Sequence, residues 1–140
     1  MDDQERERIR RSLNDSDRGI NIYYDREGKP IGFGDWAVLH EDNDYKIVRR
    51  DYPVPEIRVS TAWLGMDHQY GDGPPVIFET MVFDEEGGRF EELGEWTMRH
   101  HTETQAIAYH EKTVADVKQW WKGVPIGNVP DLRKRDDPSG

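Results

Sequence analysis

Residues 59–83 read VSTAWLGMDHQYGDGPPVIFETMVF, in which two segments rich in β-branched and aromatic residues flank a polar loop. The loop, residues 65–75, contains three glycines and two prolines, which interrupt regular structure. Apolar side chains occupy both alternating faces of each flanking segment, as in central strands that are covered on more than one side. The stretch therefore predicts a strand, a loop and a second strand at the centre of a sheet.

Shorter strand patterns lie on either side of this central pair. Residues 20–24, 29–33, 35–40, 45–50 and 96–100 carry apolar, β-branched or aromatic residues, and most are separated by turn sequences rich in glycine, aspartate and asparagine. Prolines at 53 and 55 predict a break before the central pair, because proline cannot donate a ladder hydrogen bond. The patterns predict an antiparallel meander of about five to seven strands.

A single long helix follows the strands. Thr102 and Gln105 have the spacing of a capping box, which predicts a helix start. Apolar positions then recur at steps of three and four residues and predict one buried face, consisting of Ile107, His110, Val114, Val117 and Trp121. The sequence thus predicts an α+β fold in which one C-terminal amphipathic helix packs on an antiparallel sheet.

The two ends of the chain differ from this body. Residues 1–19 are nearly all charged and predict a flexible arm or a short helix with little apolar surface to dock. Glycine and proline punctuate residues 123–140, which predict a mobile tail. A single α+β domain is therefore expected over residues 20–122.

Composition narrows the class of partner. The 140 residues carry a formal net charge of −10, and an acidic surface repels phosphate backbones, so no nucleic-acid partner is expected. The absence of cysteine excludes disulfides, thiolate metal sites and a cysteine nucleophile. No apolar run is long enough to span a membrane, so no membrane association is expected. These features predict a soluble, cytoplasmic protein.

Five polar or aromatic residues are candidate binding residues: Asp67, His68, Tyr70, Glu79 and His110. His110 interrupts the apolar face of the helix, and a buried neutral imidazole held by one hydrogen bond explains it structurally. If the helix lies over the central strands, His110 is instead expected to face Glu79 in a carboxylate–imidazole pair. His68 and Tyr70, at the loop tip, offer a stacking or hydrogen-bonding surface to a ligand or partner.

Catalysis is the alternative reading of these residues. His68, Glu79 and His110 are ligand types that zinc accepts, but their spacing matches no zinc signature, so neither metal nor cofactor is expected. A small metal-dependent or acid–base hydrolase using Asp67, His68, Glu79 and His110 stays open. Ser60 and Thr61 lie inside a strand, without the sharp turn that exposes a nucleophile. A non-enzymatic role is therefore favoured.

The block from Val59 to Phe83, followed by Thr102-Glu103, Ala106 and His110, resembles a family of small proteins encoded by tailed bacteriophages and prophages, especially of actinobacterial hosts. The shared pattern reads Ser-Thr-x-Trp-Leu-Gly-x-Asp-His, then Gly-Pro-Pro-x-Ile-Phe-Glu-Thr-Met-Val-Phe. The match extends over residues 36–117. It departs from the pattern at Ala62 and Met66, where the family has other apolar residues of similar type. His100 stands near the position at which the family has a tyrosine.

No activity is attached to that family, so the resemblance transfers no catalytic residue. It implies a viral accessory protein in the cytoplasm of a bacterial host. The expected function is a non-enzymatic binding or inhibitor module that acts on a host protein or a small host ligand. Self-association into a homo-oligomer remains open.

Overall fold

The computed structural model describes residues 2–16, 22–68, 73–88 and 90–123, and for residues 12–16 it describes the backbone alone. These residues form four α-helices and seven strands. In chain order they are α1 Asp3–Ser16, β1 Tyr23–Tyr24, β2 Pro30–Ile31, α2 Phe33–Glu41, α3 Asn43–Lys46, β3 Ile47–Val54, β4 Ile57–Trp63, β5 Phe78–Asp84, β6 Glu91–Glu92, β7 Met98–His100 and α4 Glu103–Trp121.

A five-stranded antiparallel sheet forms the centre of the molecule. Strands β3, β4, β5 and β6 are neighbours in that order, and β7 also pairs with β5. Helix α4 packs on β3, β4 and β5. The α+β class, the antiparallel meander and the C-terminal helix on the sheet are therefore confirmed. Strands β1 and β2 form a separate small hairpin.

The two central strands bury one face more fully than the other. In β4 the buried residues alternate strictly, at Ile57, Val59, Thr61 and Trp63. Strand β5 follows the same alternation, with a buried residue at every second position from Phe78. The intervening side chains are only partly buried. The core thus lies mainly on one face, while the other face of the central strands is partly covered.

Helix α4 begins at the predicted cap but presents a different face to the sheet. The Thr102 hydroxyl accepts a hydrogen bond from the Gln105 backbone amide at 3.2 Å. The buried positions are Ala106, His110, Thr113, Val117 and Trp120. Trp121 is 37% exposed, whereas Trp120 packs edge-on against Trp96 with ring centroids 5.4 Å apart. His110 and Val117 are buried as predicted, whereas Ala106, Thr113 and Trp120 take the places expected for Ile107, Val114 and Trp121.

Residues 33–41 form a helix where a strand was predicted over residues 35–40. Val38, assigned to a strand face, is 49% exposed. Trp36 instead stacks on His40, four residues later, with ring centroids 4.7 Å apart. A short apolar run fits a helix or a strand equally well, and packing on the core decides between them. The next strand accordingly begins at Ile47 rather than at residue 45.

Strand β3 continues through Pro53 instead of breaking there. Within the described residues β3 is an edge strand that pairs with β4, so an amide on its outer side is not required for a ladder. The pairing register shifts between Asp51 and Val54, where the proline lies. The reversal into β4 occurs at Pro55 and Glu56, the latter with a φ of 68°.

The N-terminal segment is helical and packs against α2. The two helices touch at Gly34, where any Cβ atom would overlap the backbone carbonyl of Arg10. An ion pair between Arg10 Nε and Asp35 at 3.2 Å lies beside this crossing point. Of the predicted tail, residues 124–140 lie outside the described residues, as do Ile20 and Asn21 of the predicted first strand.

Candidate functional site

Five polar side chains form a continuous hydrogen-bonded chain between α4 and the sheet. Asp51 Oδ2 lies 2.7 Å from His110 Nε2, and His110 Nδ1 lies 2.8 Å from the Thr61 hydroxyl. The hydroxyls of Thr61 and Thr80 are 2.7 Å apart. Thr80 in turn lies 3.0 Å from His100 Nε2. The sequence of contacts, hereafter the polar chain, is Asp51, His110, Thr61, Thr80 and His100.

Each member of the polar chain comes from a different element. Thr61 and Thr80 are direct partners in the register between β4 and β5, and both point to the buried face. Asp51 of β3 lies opposite Val59 of β4, and His100 of β7 lies opposite Phe78 of β5. Helix α4 crosses these strands and supplies His110. Strand alternation and register therefore assemble the chain across four strands and one helix.

The polar chain is open to solvent mainly at one end. Thr61, Thr80 and His110 are completely buried, and His100 is 6% exposed. The Asp51 side chain, at the other end, is 49% exposed. Every interior member has a hydrogen-bond partner on each side, which removes the penalty for burying its polar atoms.

Burial also affects the pKa of His100, the member of the polar chain farthest from Asp51. Desolvation lowers the pKa of His100, the Glu79 carboxylate opposes this effect, and the nearby His101 adds to it. The His100 ring packs against Tyr109 with centroids 5.1 Å apart. His100 is therefore held towards its neutral form.

An aspartate, a histidine and a hydroxyl in this order have the composition of a nucleophilic triad. Here the Thr61 hydroxyl has no exposed surface and lies between His110 and Thr80. A nucleophile must reach a substrate carbonyl or phosphoryl group, and this one is closed off by α4. In this conformation the polar chain fastens α4 to the sheet.

Glu79 does not meet His110. Its neighbours Phe78 and Thr80 point to the buried face, so the alternation of β5 turns Glu79 to the other face. There its carboxylate accepts a hydrogen bond from Arg99 Nε at 3.0 Å. The expected pair of His110 with Glu79 is wrong, and the carboxylate that His110 contacts belongs to Asp51.

Asp67 and His68 lie at the base of the glycine-rich loop. Asp67 Oδ1 accepts a hydrogen bond from the Val76 amide at 3.0 Å, and the Asp67 amide donates to the Ile22 carbonyl at 2.8 Å. The His68 amide donates to the Val76 carbonyl, while its side chain is exposed. Asp67 thus links the segment after β4 to the segment that leads into β5. Tyr70 lies outside the described residues, and the binding role of the loop stays a prediction.

The candidate metal ligands are not brought together. His68 lies in the loop, Glu79 on one face of β5 and His110 beneath the other face. Among the residues that the structure describes, no group of three or more His, Asp or Glu side chains is arranged to hold a metal ion. Likewise, no helix in the described ranges has the length and apolar character needed to cross a membrane.

Of the five members of the polar chain, His110 alone was among the candidate site residues, and Asp51, Thr61, Thr80 and His100 were missed. Thr61 and Thr80 do give a signal, because each is a polar residue at an otherwise apolar position of its strand. Asp51 gives none, since it stands between Arg50 and Tyr52 in a charged segment that reads as solvent-facing. Its role depends on the crossing of α4 over β3.

A second feature is an open groove of about 640 Å³ between α1 and α2, hereafter the α1–α2 groove. Its apolar surface comes from Ile9, Ala37 and Val38, and its charged lining from Asp3, Arg6, Glu7, Arg10, Glu41 and Asp42. Ile9 is 42% exposed and Val38 49% exposed. The groove is therefore accessible apolar surface framed by charge.

Comparison with known proteins gives no match of this chain to a protein-family model, to a curated protein or to a solved structure.

Proposed function

We propose that this protein is a non-enzymatic binding module, an accessory protein of a tailed bacteriophage that engages a host protein in the bacterial cytoplasm. The α1–α2 groove is the observation that carries the proposal. The likeness of residues 59–83 to phage-encoded proteins supports the viral origin. The polar chain supports a non-catalytic role, since its hydroxyls are sealed.

The apolar part of the groove suits an interface core. Ile9 and Val38 expose aliphatic surface from two different helices to the same groove. Burying apolar surface is the dominant favourable contribution to most protein association. Two crossing helices also leave a groove into which a third, amphipathic helix packs by its apolar side chains. A helical segment of another protein is therefore the fitting occupant.

The charges around the groove favour a basic occupant. Four carboxylates and two guanidinium groups line it. Arg10 is already engaged by Glu7 and by Asp35. Within the described residues, Asp3 and Glu41 have no ion-pair partner. Complementary charge speeds encounter and suppresses wrong partners, so the proposed occupant is an amphipathic helix with lysine or arginine along its flanks.

A second copy of the chain is a poorer occupant on the same reasoning. Each copy has a formal net charge of −10, and two such bodies repel one another. Of the two long helices in the described part of the chain, α1 is already packed on its own α2 and α4 on its own sheet. The proposal therefore commits to a different protein as the partner.

The test uses a 14-residue Leu/Lys amphipathic peptide as probe and amide NMR shifts of the labelled protein as readout. We expect shifts at residues of α1 and α2, because the apolar face of the peptide fills the groove. A Leu/Glu peptide with the same pattern should leave the spectrum unchanged. Shifts spread over the sheet, or equal binding of both peptides, would contradict the groove as the binding surface.

Matched variants separate groove binding from general attraction to an acidic protein. The groove variant Val38→Ser/Glu41→Lys should weaken peptide binding roughly tenfold or more, since it removes apolar surface and reverses a charge. The control Met98→Ser/Glu95→Lys makes the same chemical changes elsewhere. Met98 is 47% exposed, close to Val38, and Glu95 is exposed. Equal weakening by both variants would show that net charge alone attracts the peptide.

The physiological partner is sought with the same pair of variants. Immobilised protein is exposed to host lysate, and a protein retained by wild type and control but lost by the groove variant supports the proposal. Hydrolysis of p-nitrophenyl esters or phosphates that disappears in Asp67→Asn or His68→Gln would instead support the hydrolase alternative. That result would overturn the non-enzymatic assignment.

A further inference from the structure

The polar chain determines where its own protons lie. The carboxylate of Asp51 only accepts hydrogen bonds when ionised, so the contact at 2.7 Å requires His110 Nε2 to donate. In a neutral imidazole the other nitrogen then accepts, and His110 Nδ1 takes its hydrogen bond from the Thr61 hydroxyl. One half-exposed carboxylate therefore sets the tautomer of a completely buried histidine.

The same reasoning continues through the sheet. The Thr61 hydroxyl has one hydrogen, already given to His110, so the contact with Thr80 at 2.7 Å requires Thr80 to donate. Thr80 must in turn accept from His100 Nε2, 3.0 Å away. We infer that the polar chain has a single proton order, with donation running from His100 through Thr80, Thr61 and His110 to Asp51. Both histidines are then Nε2–H tautomers.

Adding one proton reverses the order. When His110 becomes an imidazolium, its Nδ1–H donates to Thr61, and Thr61 must turn its hydrogen towards Thr80. Thr80 then donates to His100 Nε2, which accepts only if His100 changes to the Nδ1–H tautomer. All four hydrogen bonds of the chain survive: His110 Nε2 still donates to Asp51, and the other three exchange donor and acceptor. Protonation at His110 is thus transmitted to His100 without a change of backbone.

The polar chain can keep all of its hydrogen bonds with one added proton, but not with two. If both imidazoles were charged, each would donate towards the two threonine hydroxyls. One of these hydroxyl hydrogens would then have no acceptor within the chain, at a site with no exposed surface. Buried unsatisfied donors are disfavoured, so the two histidines exclude one another as proton carriers.

The charged groups that face His110 come from β3 and from α4. On β3 it faces Asp51, with which it makes its shortest contact. Arg49, on the same face of β3, is paired with Glu111 of α4 at 2.9 Å, so these two charges offset each other. The β4 and β5 strands offer only neutral hydroxyls. The carboxylate of Asp51 remains as the net charge at the ring.

The surroundings of His100 disfavour a charge there. Glu79 on β5 is engaged by Arg99, the neighbour of His100 on β7. His101 follows in the chain, and from α4 the neutral ring of Tyr109 packs on the imidazole. Burial lowers the pKa of His100. His100 is therefore held neutral, and it registers a charge on His110 only as a change of tautomer.

Long-range proton–nitrogen NMR spectra of the imidazole rings test the inference on the intact protein. Near neutral pH, both His100 and His110 should show the Nε2–H pattern. Spectra in which His110 shows the imidazolium pattern should show His100 as the Nδ1–H tautomer. An Nδ1–H pattern at His100 near neutral pH would overturn the proton order. An Nε2–H pattern that persists after His110 is charged would overturn the coupling.

A pair of substitutions at Thr80 locates the coupling in the hydroxyls. Thr80→Ser keeps a hydroxyl, so the tautomer of His100 should still follow the charge on His110. Thr80→Val removes the hydroxyl at similar volume, so the tautomer of His100 should no longer respond to the charge on His110. A response that persists in Thr80→Val contradicts the chain as its route. If the valine variant fails to fold, the tautomers of His100 and His110 in the wild-type protein still test the proton order.

Discussion

His110 illustrates how a polar residue becomes part of an apolar helix face. Its ring is completely buried, and each nitrogen has a partner, Asp51 on one side and Thr61 on the other. The imidazole therefore fills space like an apolar side chain while satisfying two buried or half-buried polar groups. The burial of His110 was expected from its place on the helix, whereas its partners were not.

At the residue scale, we expect His110→Ala to lower the free energy of unfolding by about 2 kcal/mol. The change leaves a cavity beneath α4 and removes a hydrogen-bond partner from Thr61. Urea unfolding measures the effect, with Lys118→Ala on the exposed side of the same helix as the control. The control should change stability by less than about 0.5 kcal/mol. An equally small change in His110→Ala would contradict the role of the polar chain in fastening α4.

At the scale of elements, α1 and α2 show how one residue sets a helix contact. Gly34 brings the backbones together, since its missing Cβ leaves room for the Arg10 carbonyl. An ion pair of Arg10 with Asp35 lies beside the contact. The α1–α2 groove depends on this crossing, because its two walls are the two helices.

Gly34→Ala is accordingly expected to separate α1 from α2. Alanine favours the helix over glycine by about 1 kcal/mol, but its Cβ would overlap a backbone atom that cannot turn aside. Amide hydrogen exchange should show faster exchange over residues 3–16 and unchanged exchange in β4 and β5. Gly94→Ala, where nothing lies within 4 Å of the new atom, is the control. Unchanged exchange in α1 would refute the backbone contact.

The elements that the sequence predicted well are those with a strong local signal. The Thr102 cap and the two central strands have long, regular patterns, and packing agrees with them. Residues 33–41 were misassigned because the alternation of Trp36, Val38 and His40 covers only five positions. The aromatic contact of Trp36 with His40 exists only in the helix, and no pattern in so short a segment reveals it.

The candidate site was predictable only in part, for a physical reason. His110 stands out because a helix face has a period that the sequence displays. Asp51 reaches His110 through the crossing of α4 over β3, and the two residues are 59 positions apart in the chain. Such a contact depends on register and crossing angle, which no single segment encodes. The glycine-rich loop attracted attention instead, since its composition is unusual.

For the whole molecule, two histidines give stability a definite dependence on pH. Burial lowers the pKa of His100 and of His40 below the ordinary value of 6.5. The unfolded chain therefore binds protons at a pH where the folded protein does not. The stability from these neutral rings is complete above pH 6.5 and is lost as the pH falls through the folded values.

Urea unfolding at a series of pH values between about 7.5 and 5 checks this direction. The free energy of unfolding should fall with pH over that range. The double variant His40→Gln/His100→Gln should show a smaller slope, since its two side chains do not titrate. A slope equal to that of the wild type would mean that other groups cause the decline.

The edge strand β3 has a consequence for how this protein behaves at high concentration. A long open edge is where sheets from different molecules join and polymerise into fibrils. Here Pro53 withholds one amide, the register is shifted beside it, and Arg49, Arg50 and Asp51 place charge along the same edge. These features of β3 therefore oppose the addition of a strand from another molecule, and the protein should stay free of fibrils at high concentration.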